Sequence, residues 1–145
     1  MLLRRILASS GMAALVLGGA VVTASPASAA VERCSVAKSI EQGVTMYSCM
    51  LVGLTEGRAY TKVYYNLTSY RTITVCDDMH RGSIFFIDPF CEDVVLGPGK
   101  SRIDTGGTYL TNPTGVQQWR SRSLAFPSNP NVQPVSVESP NVYDT

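Results

Sequence analysis

From residue 44 onward, apolar and polar side chains alternate at the two-residue spacing of a half-buried strand. Val44 to Val52 places Val44, Met46, Met50 and Val52 on one face and Thr45, Tyr47, Cys49 and Leu51 on the other. Both faces are largely apolar, which predicts a central rather than an edge strand. After a turn at Thr55–Arg58, Ala59 to Leu67 is the clearest strand, carrying Tyr60, Val63, Tyr64 and Tyr65. Arg71 to Val75 follows a turn at Asn66–Tyr70, and the pattern predicts a hairpin between these two strands. Ser83 to Ile87 is a continuous apolar run ended by Asp88-Pro89, since proline cannot donate to a ladder. Asp93–Leu96, Ser101–Thr105 and Thr108–Thr111 read as short strands around a Gly97-Pro98-Gly99-Lys100 turn. Val36 to Ile40 reads as one helical turn or an irregular edge segment. About six to eight short strands with Gly/Pro turns predict an all-β fold: a small disulfide-stapled antiparallel sandwich, Greek-key or immunoglobulin-like.

The ends depart from this pattern. Met1–Arg5 is a basic n-region, Ile6–Val22 an Ala/Gly-rich apolar run, and Ser25–Ala30 a cluster of small residues. This is the layout of a secretory signal peptide over 1–29, cleaved after Ala29 or Ala30. Ser9, Ser10 and the glycines interrupt the run, so no membrane insertion is expected after cleavage. The β-sandwich domain is assigned to 30–125. Residues 126–145 hold four prolines and three asparagines and read as an extended tail, with one short strand at Val135–Val137. Without Arg4 and Arg5, ten basic and eleven acidic residues remain, a balance that gives no electrostatic reason to bind nucleic acid.

The four cysteines, Cys34, Cys49, Cys76 and Cys91, suit an oxidising compartment and allow three connectivities. Pairing Cys34 with Cys49 and Cys76 with Cys91 closes two loops of equal length and is the expected one. No two cysteines have the close spacing of a zinc site.

His80, the sole histidine, lies near Asp77, Asp78 and Asp88, where a carboxylate-oriented base or a metal site could form. Glu92-Asp93 adds two further carboxylates. Asp77–Gly82 instead reads as a polar hairpin loop displaying soluble side chains, so no catalytic residue, metal ligand or cofactor is assigned. Two stretches read as contact surfaces. Tyr60 and Tyr64, with Tyr70 beside them, could form an aromatic platform for sugar rings or a protein. Gln117–Ser123 holds the only tryptophan, Trp119, between glutamines and the arginines Arg120 and Arg122. Tryptophan and arginine are enriched in interface hot spots, and the segment is read as an exposed loop.

Cys34 and Cys49, with Cys91 followed by Val94-Val95-Leu96-Gly97-Pro98-Gly99, resemble the small secreted β-sandwich proteins of actinobacteria, nearest the tendamistat-like α-amylase inhibitors. The resemblance implies a cysteine-paired Greek-key sandwich. It departs where that family inhibits: its Trp-Arg-Tyr triplet lies between the first two cysteines, and Ser35–Ser48 contains no tryptophan. The expected function is a secreted, extracellular, non-enzymatic binding module for a protein or carbohydrate. The alternatives are an inhibitor of a secreted hydrolase, α-amylase or protease, and a structural or assembly component of the cell surface.

Overall fold

The computed structural model describes residues 30–85, 89–113 and 115–143, so the expected signal peptide and the end of the apolar run at 86–88 lie outside it. Twelve strands occur among the described residues. They are β1 (Val31–Cys34), β2 (Lys38–Glu41), β3 (Val44–Val52), β4 (Glu56–Leu67), β5 (Arg71–Arg81) and β6 (Ile84–Phe85). The remainder are β7 (Phe90–Leu96), β8 (Gly99–Asp104), β9 (Thr108–Thr111), β10 (Gln118–Phe126), β11 (Val135–Glu138) and β12 (Val142–Tyr143).

They form two antiparallel sheets. In sheet A the hairpin β3–β4 is central, with β1 and β2 along β3 and β8 and β9 along β4. In sheet B the centre is β5–β10, with β7 and β6 along β5 and β11 and β12 along β10. Each edge is thus divided between two short strands. Eight strand positions result, which is why twelve segments fit a sandwich expected to have six to eight strands. Short edge strands also limit the unpaired ladder offered to another chain.

The cysteines pair as Cys34–Cys49 and Cys76–Cys91, each across directly opposed residues of neighbouring strands. Cys34–Cys49 ties β1 to β3, and Cys76–Cys91 ties β7 to β5. Each therefore staples an edge to its own sheet, whereas the antibody-domain disulfide joins the two sheets.

The core has three parts. One apolar cluster contains Val44, Met46, Val63, Leu67, Ile73, Val75 and Leu96. A second contains Met50, Val52, Ala59, Met79, Trp119 and Val142. Between them runs a belt of buried polar side chains: Ser48 and Thr61 from sheet A, Asp77, Ser121 and Ser123 from sheet B, and Thr105 from the link between β8 and β9.

Four expectations are corrected. β4 and β5 are not a hairpin; they lie in different sheets. Their inward residues Val63, Leu67, Ile73 and Val75 meet across the core, face to face rather than side by side. Asp77–Arg81 is not a loop but the second half of β5; the turn comes at Gly82. Gln118–Phe126 is not a loop but a central strand of sheet B. Residues 126–145 are not a free tail: the expected strand at Val135–Val137 is β11, β12 joins it to complete the edge beside β10, and Val142 enters the second apolar cluster.

Candidate functional site

The outer face of sheet A follows from alternation along β4. Gly57, Ala59, Thr61, Val63 and Leu67 are buried against sheet B, so Arg58, Tyr60, Lys62 and Tyr64 point outward. Cross-strand register adds Tyr47 opposite Lys62, Arg102 opposite Tyr64, Asp104 opposite Lys62 and Tyr109 opposite Arg58. Cations and rings interleave. The Arg58 guanidinium lies 4.5 Å from the Tyr60 ring centre and 5.2 Å from that of Tyr109. The Lys62 ammonium is 5.6 Å from Tyr60, and the Arg102 guanidinium 5.9 Å from Tyr64. The Tyr47 and Tyr64 rings meet edge to face, with centroids 5.4 Å apart and planes at 71°.

The expected platform tyrosines have different fates, and Tyr70 is exposed in the link between β4 and β5. Tyr64 is 40 % exposed, whereas Tyr60 is only 4 % exposed. The Tyr60 hydroxyl donates to Glu32, which also accepts from Lys62 at 2.8 Å. Burial, then the bond to Glu32, raises the Tyr60 phenol above its ordinary value. Bonds from Lys62 and Tyr60 lower Glu32 below the usual carboxylate range. Tyr60 is therefore the support of the face, and its contact residues are Tyr64 and Tyr109, the latter 50 % exposed.

One local irregularity shapes this face. Between the pairs Lys62↔Asp104 and Ala59↔Thr108, the edge chain spends one residue more than β4. That extra residue is a bulge at 105–107, a device that re-aims backbone and side chains. Gly107 makes it possible: its φ is +77°, and a Cβ there would lie 2.3 Å from the Ala59 carbonyl oxygen. The bulge is pinned from inside. Thr105 Oγ1 donates to Asp77 Oδ2 and accepts from Thr61 N at 2.8 Å. Glu92 accepts from Gly106 N, and Thr108 Oγ1 donates to the Asp77 carbonyl at 2.7 Å. Outward, the carbonyls of Thr105 and Gly106 accept from Arg58, from Nη2 at 2.7 Å and Nε at 3.2 Å.

The other expected residues divide between the core and the opposite surface. Trp119 is fully buried, so its assignment as an exposed contact is corrected. Its indole packs on Gly57 of sheet A, where an added Cβ would lie 2.8 Å from the ring. Arg120 and Arg122 point to the outer face of sheet B, where Arg120 pairs with Glu138 at 3.0 Å and Arg122 with Asp78. They share no surface with the tyrosines. Beside Arg122, a cavity of about 520 Å³ lies over Cys76, Leu124 and Phe126.

The acid–histidine group is separated by strand alternation. Asp77 points into the core, where Thr61 donates at 2.6 Å and Ser123 at 2.9 Å to Oδ1. Burial pushes its carboxyl above the ordinary value against the pull of the hydroxyls of Thr105, Thr61 and Ser123. Asp78 faces outward to Arg122 and also accepts from Met79 N at 2.7 Å. His80 stands opposite Arg120, and burial followed by that guanidinium lowers its imidazole below the ordinary value. Asp88 lies outside the described residues, and no metal-holding cluster occurs among the described residues.

Arg58 and Tyr109 were missed as site residues because Arg58 was read as part of a turn and Tyr109 as part of an isolated short strand. The signal was present: Arg58, Tyr60, Lys62 and Tyr64 alternate cation and ring on one face of the clearest strand. No protein-family model matches this chain, and a search of curated proteins found no match.

Proposed function

We propose that this protein is a secreted, non-enzymatic binding module that recognises an extracellular protein through the outer face of sheet A. The observation that carries the reading is the tyrosine–cation lattice, in which Tyr64 and Tyr109 stand exposed among cations already held by stacking and hydrogen bonds. Tyrosine and arginine on a rigid sheet lose little conformational entropy on binding, which is what makes them effective anchors. A protein is favoured over a carbohydrate by ring geometry. Sugar stacking uses coplanar rings, and the ring packed against Tyr64 is that of Tyr47, which stands at 71° to it and makes no common plane. The two disulfides suit an oxidising, extracellular environment. The non-enzymatic part is supported by the partners of the central acids, since Asp77 is enclosed by hydroxyls and Asp78 is ion-paired. The hydrolase-inhibitor version loses Trp119 to the core, while Arg120 lies on the outer face of sheet B, paired with Glu138.

The test is affinity capture from the producing organism's culture medium and cell surface, using three baits. Wild type and an Arg120→Ala control should retain the same protein, and a Tyr64→Ala/Tyr109→Ala double variant should lose it. Equal retention by all three would remove sheet A as the recognition face. Retention of a polysaccharide instead would show that ring geometry was misread.

A further inference from the structure

The bulge at 105–107 leaves Arg58 in an unusual position. Its guanidinium is fixed on two sides, by the carbonyls of Thr105 and Gly106 and by the rings of Tyr60 and Tyr109. Two of its five N–H donors are used this way, and both carbonyls are neutral. No carboxylate lies within ion-pair distance of it among the described residues. The other central cations of the face are already neutralised, Lys62 by Glu32 at 2.8 Å and Arg102 by Asp104 at 2.9 Å. The result is one rigid, uncompensated guanidinium beside an exposed ring.

We propose that Arg58 is the anion anchor of this face and seats a single acidic side chain of a protein partner, with an apolar neighbour of that side chain lying on Tyr109. The proposal rests on the reading of sheet A as the recognition surface and adds the chemistry of what it recognises. Charge decides for one carboxylate against a polyanion. A sulfated or uronic-acid chain needs a row of uncompensated cations, and here Lys62 and Arg102 carry their own acids. Preorganisation decides for Arg58 as the anchor. The bulge is held by Asp77 and Glu92 and requires Gly107, so the guanidinium needs little ordering when an acid arrives. A carboxylate there gains charge-assisted hydrogen bonds from the three N–H donors that the carbonyls leave over.

The experiment selects a cyclic-peptide phage library on the immobilised mature protein and measures the recovered peptides against variants. A panel of heparin-derived oligosaccharides serves as the polyanion probe. The expected peptides carry Asp or Glu beside an aromatic or aliphatic residue. Their affinity should fall about tenfold or more with Arg58→Gln, weaken with added salt, and be unchanged by Arg122→Gln. Arg58→Lys, which keeps the charge but not the fork, should give an intermediate loss, and melting curves of each variant separate misfolding from lost contact. Peptides that bind through Tyr64 and Tyr109 but ignore Arg58→Gln would overturn the anchor and leave the face standing. Failure to recover any peptide that maps to sheet A would count against both. Oligosaccharide binding that depends on Arg58 would overturn the single-acid partner.

Discussion

Asp77 is the residue on which the core and the outer face meet. It takes hydroxyl donors from β4, from β10 and from the bulge, so one carboxylate ties sheet A, sheet B and the Arg58 cradle together. Ser48 and Ser121 extend the belt, with their hydroxyls 2.8 Å apart across the two sheets. Removing the acceptor should therefore cost more than one hydrogen bond. Asp77→Ala orphans several buried hydroxyls at about 1–3 kcal/mol each, and urea unfolding should show the sum. Asp77→Asn keeps an acceptor and removes the charge. Because burial raises the folded pKa above the unfolded one, this group's contribution is full below the unfolded value. It is lost as pH rises through the folded value. Unfolding free energies at pH 4 and pH 7 should thus show wild type losing more stability with rising pH than Asp77→Asn. An identical change in both would mean that the carboxyl is not displaced. Trp119 makes the complementary prediction. Fully buried on Gly57, it should give blue-shifted, quencher-protected emission, and Trp119→Ala should cost about 3–5 kcal/mol. Arg120→Ala, on the opposite face of β10, should stay within about 1 kcal/mol. Red-shifted, quenchable emission would contradict the burial.

At the scale of the element, strand positions were legible wherever the inward residues are large and apolar. β3, β4, β7 and β9 were readable from Val, Ile, Leu and Tyr alternation. Legibility failed where the inward residues are hydroxyls. β10 presents Trp119, Ser121, Ser123 and Ala125 inward and Arg120, Arg122 and Leu124 outward, so apolar periodicity disappears and the strand looks like a loop. Asp77 does the same to β5. A pattern of small hydroxyls alternating with long polar side chains would have revealed β10, since Ser and Thr can be buried when they hydrogen-bond one another; β5 carries no such pattern, because a single acid, Asp77, interrupts its inward run of Ile73, Val75 and Met79. The disulfides were legible because equal spacing matches two cross-strand staples. Of the C-terminal strands, β11 was legible at Val135–Val137 and β12 was not, because Pro and Asn dominate its surroundings and Val142 stands alone. Their energetic role is measurable. Truncation after Phe126 removes β11 and β12, exposing the edge of β10 and part of the second apolar cluster. Losing the buried Val142 costs about 1.5–3 kcal/mol and the half-buried Val135 and Val137 add less each, so with the lost strand pairing the melting temperature should fall by about 10 °C or more. A truncated chain that melts near the full-length temperature would show the two strands to be dispensable.

For the whole molecule, the sandwich separates two surfaces that the sequence invited one to combine. Sheet A carries Tyr64, Tyr109 and the anchored Arg58; sheet B carries Arg120 and Arg122, each with an acid beside it. Of the residues expected to make contact, Tyr64 alone remains exposed on the tyrosine face, Tyr60 supports it, and Trp119 holds the sheets together. The division arises because period-two alternation sends neighbours in sequence to opposite sides of a sheet, and no run of residue types states which side faces the core. Recognition therefore turns on which face meets the partner. Hydrogen–deuterium exchange on the complex with a captured partner or a selected peptide reads this directly. The predicted footprint is added protection in β4 around Arg58–Tyr64 and along β8 and β9, with β10 unchanged. Protection confined to β5 and β10 would place recognition on sheet B and contradict the account.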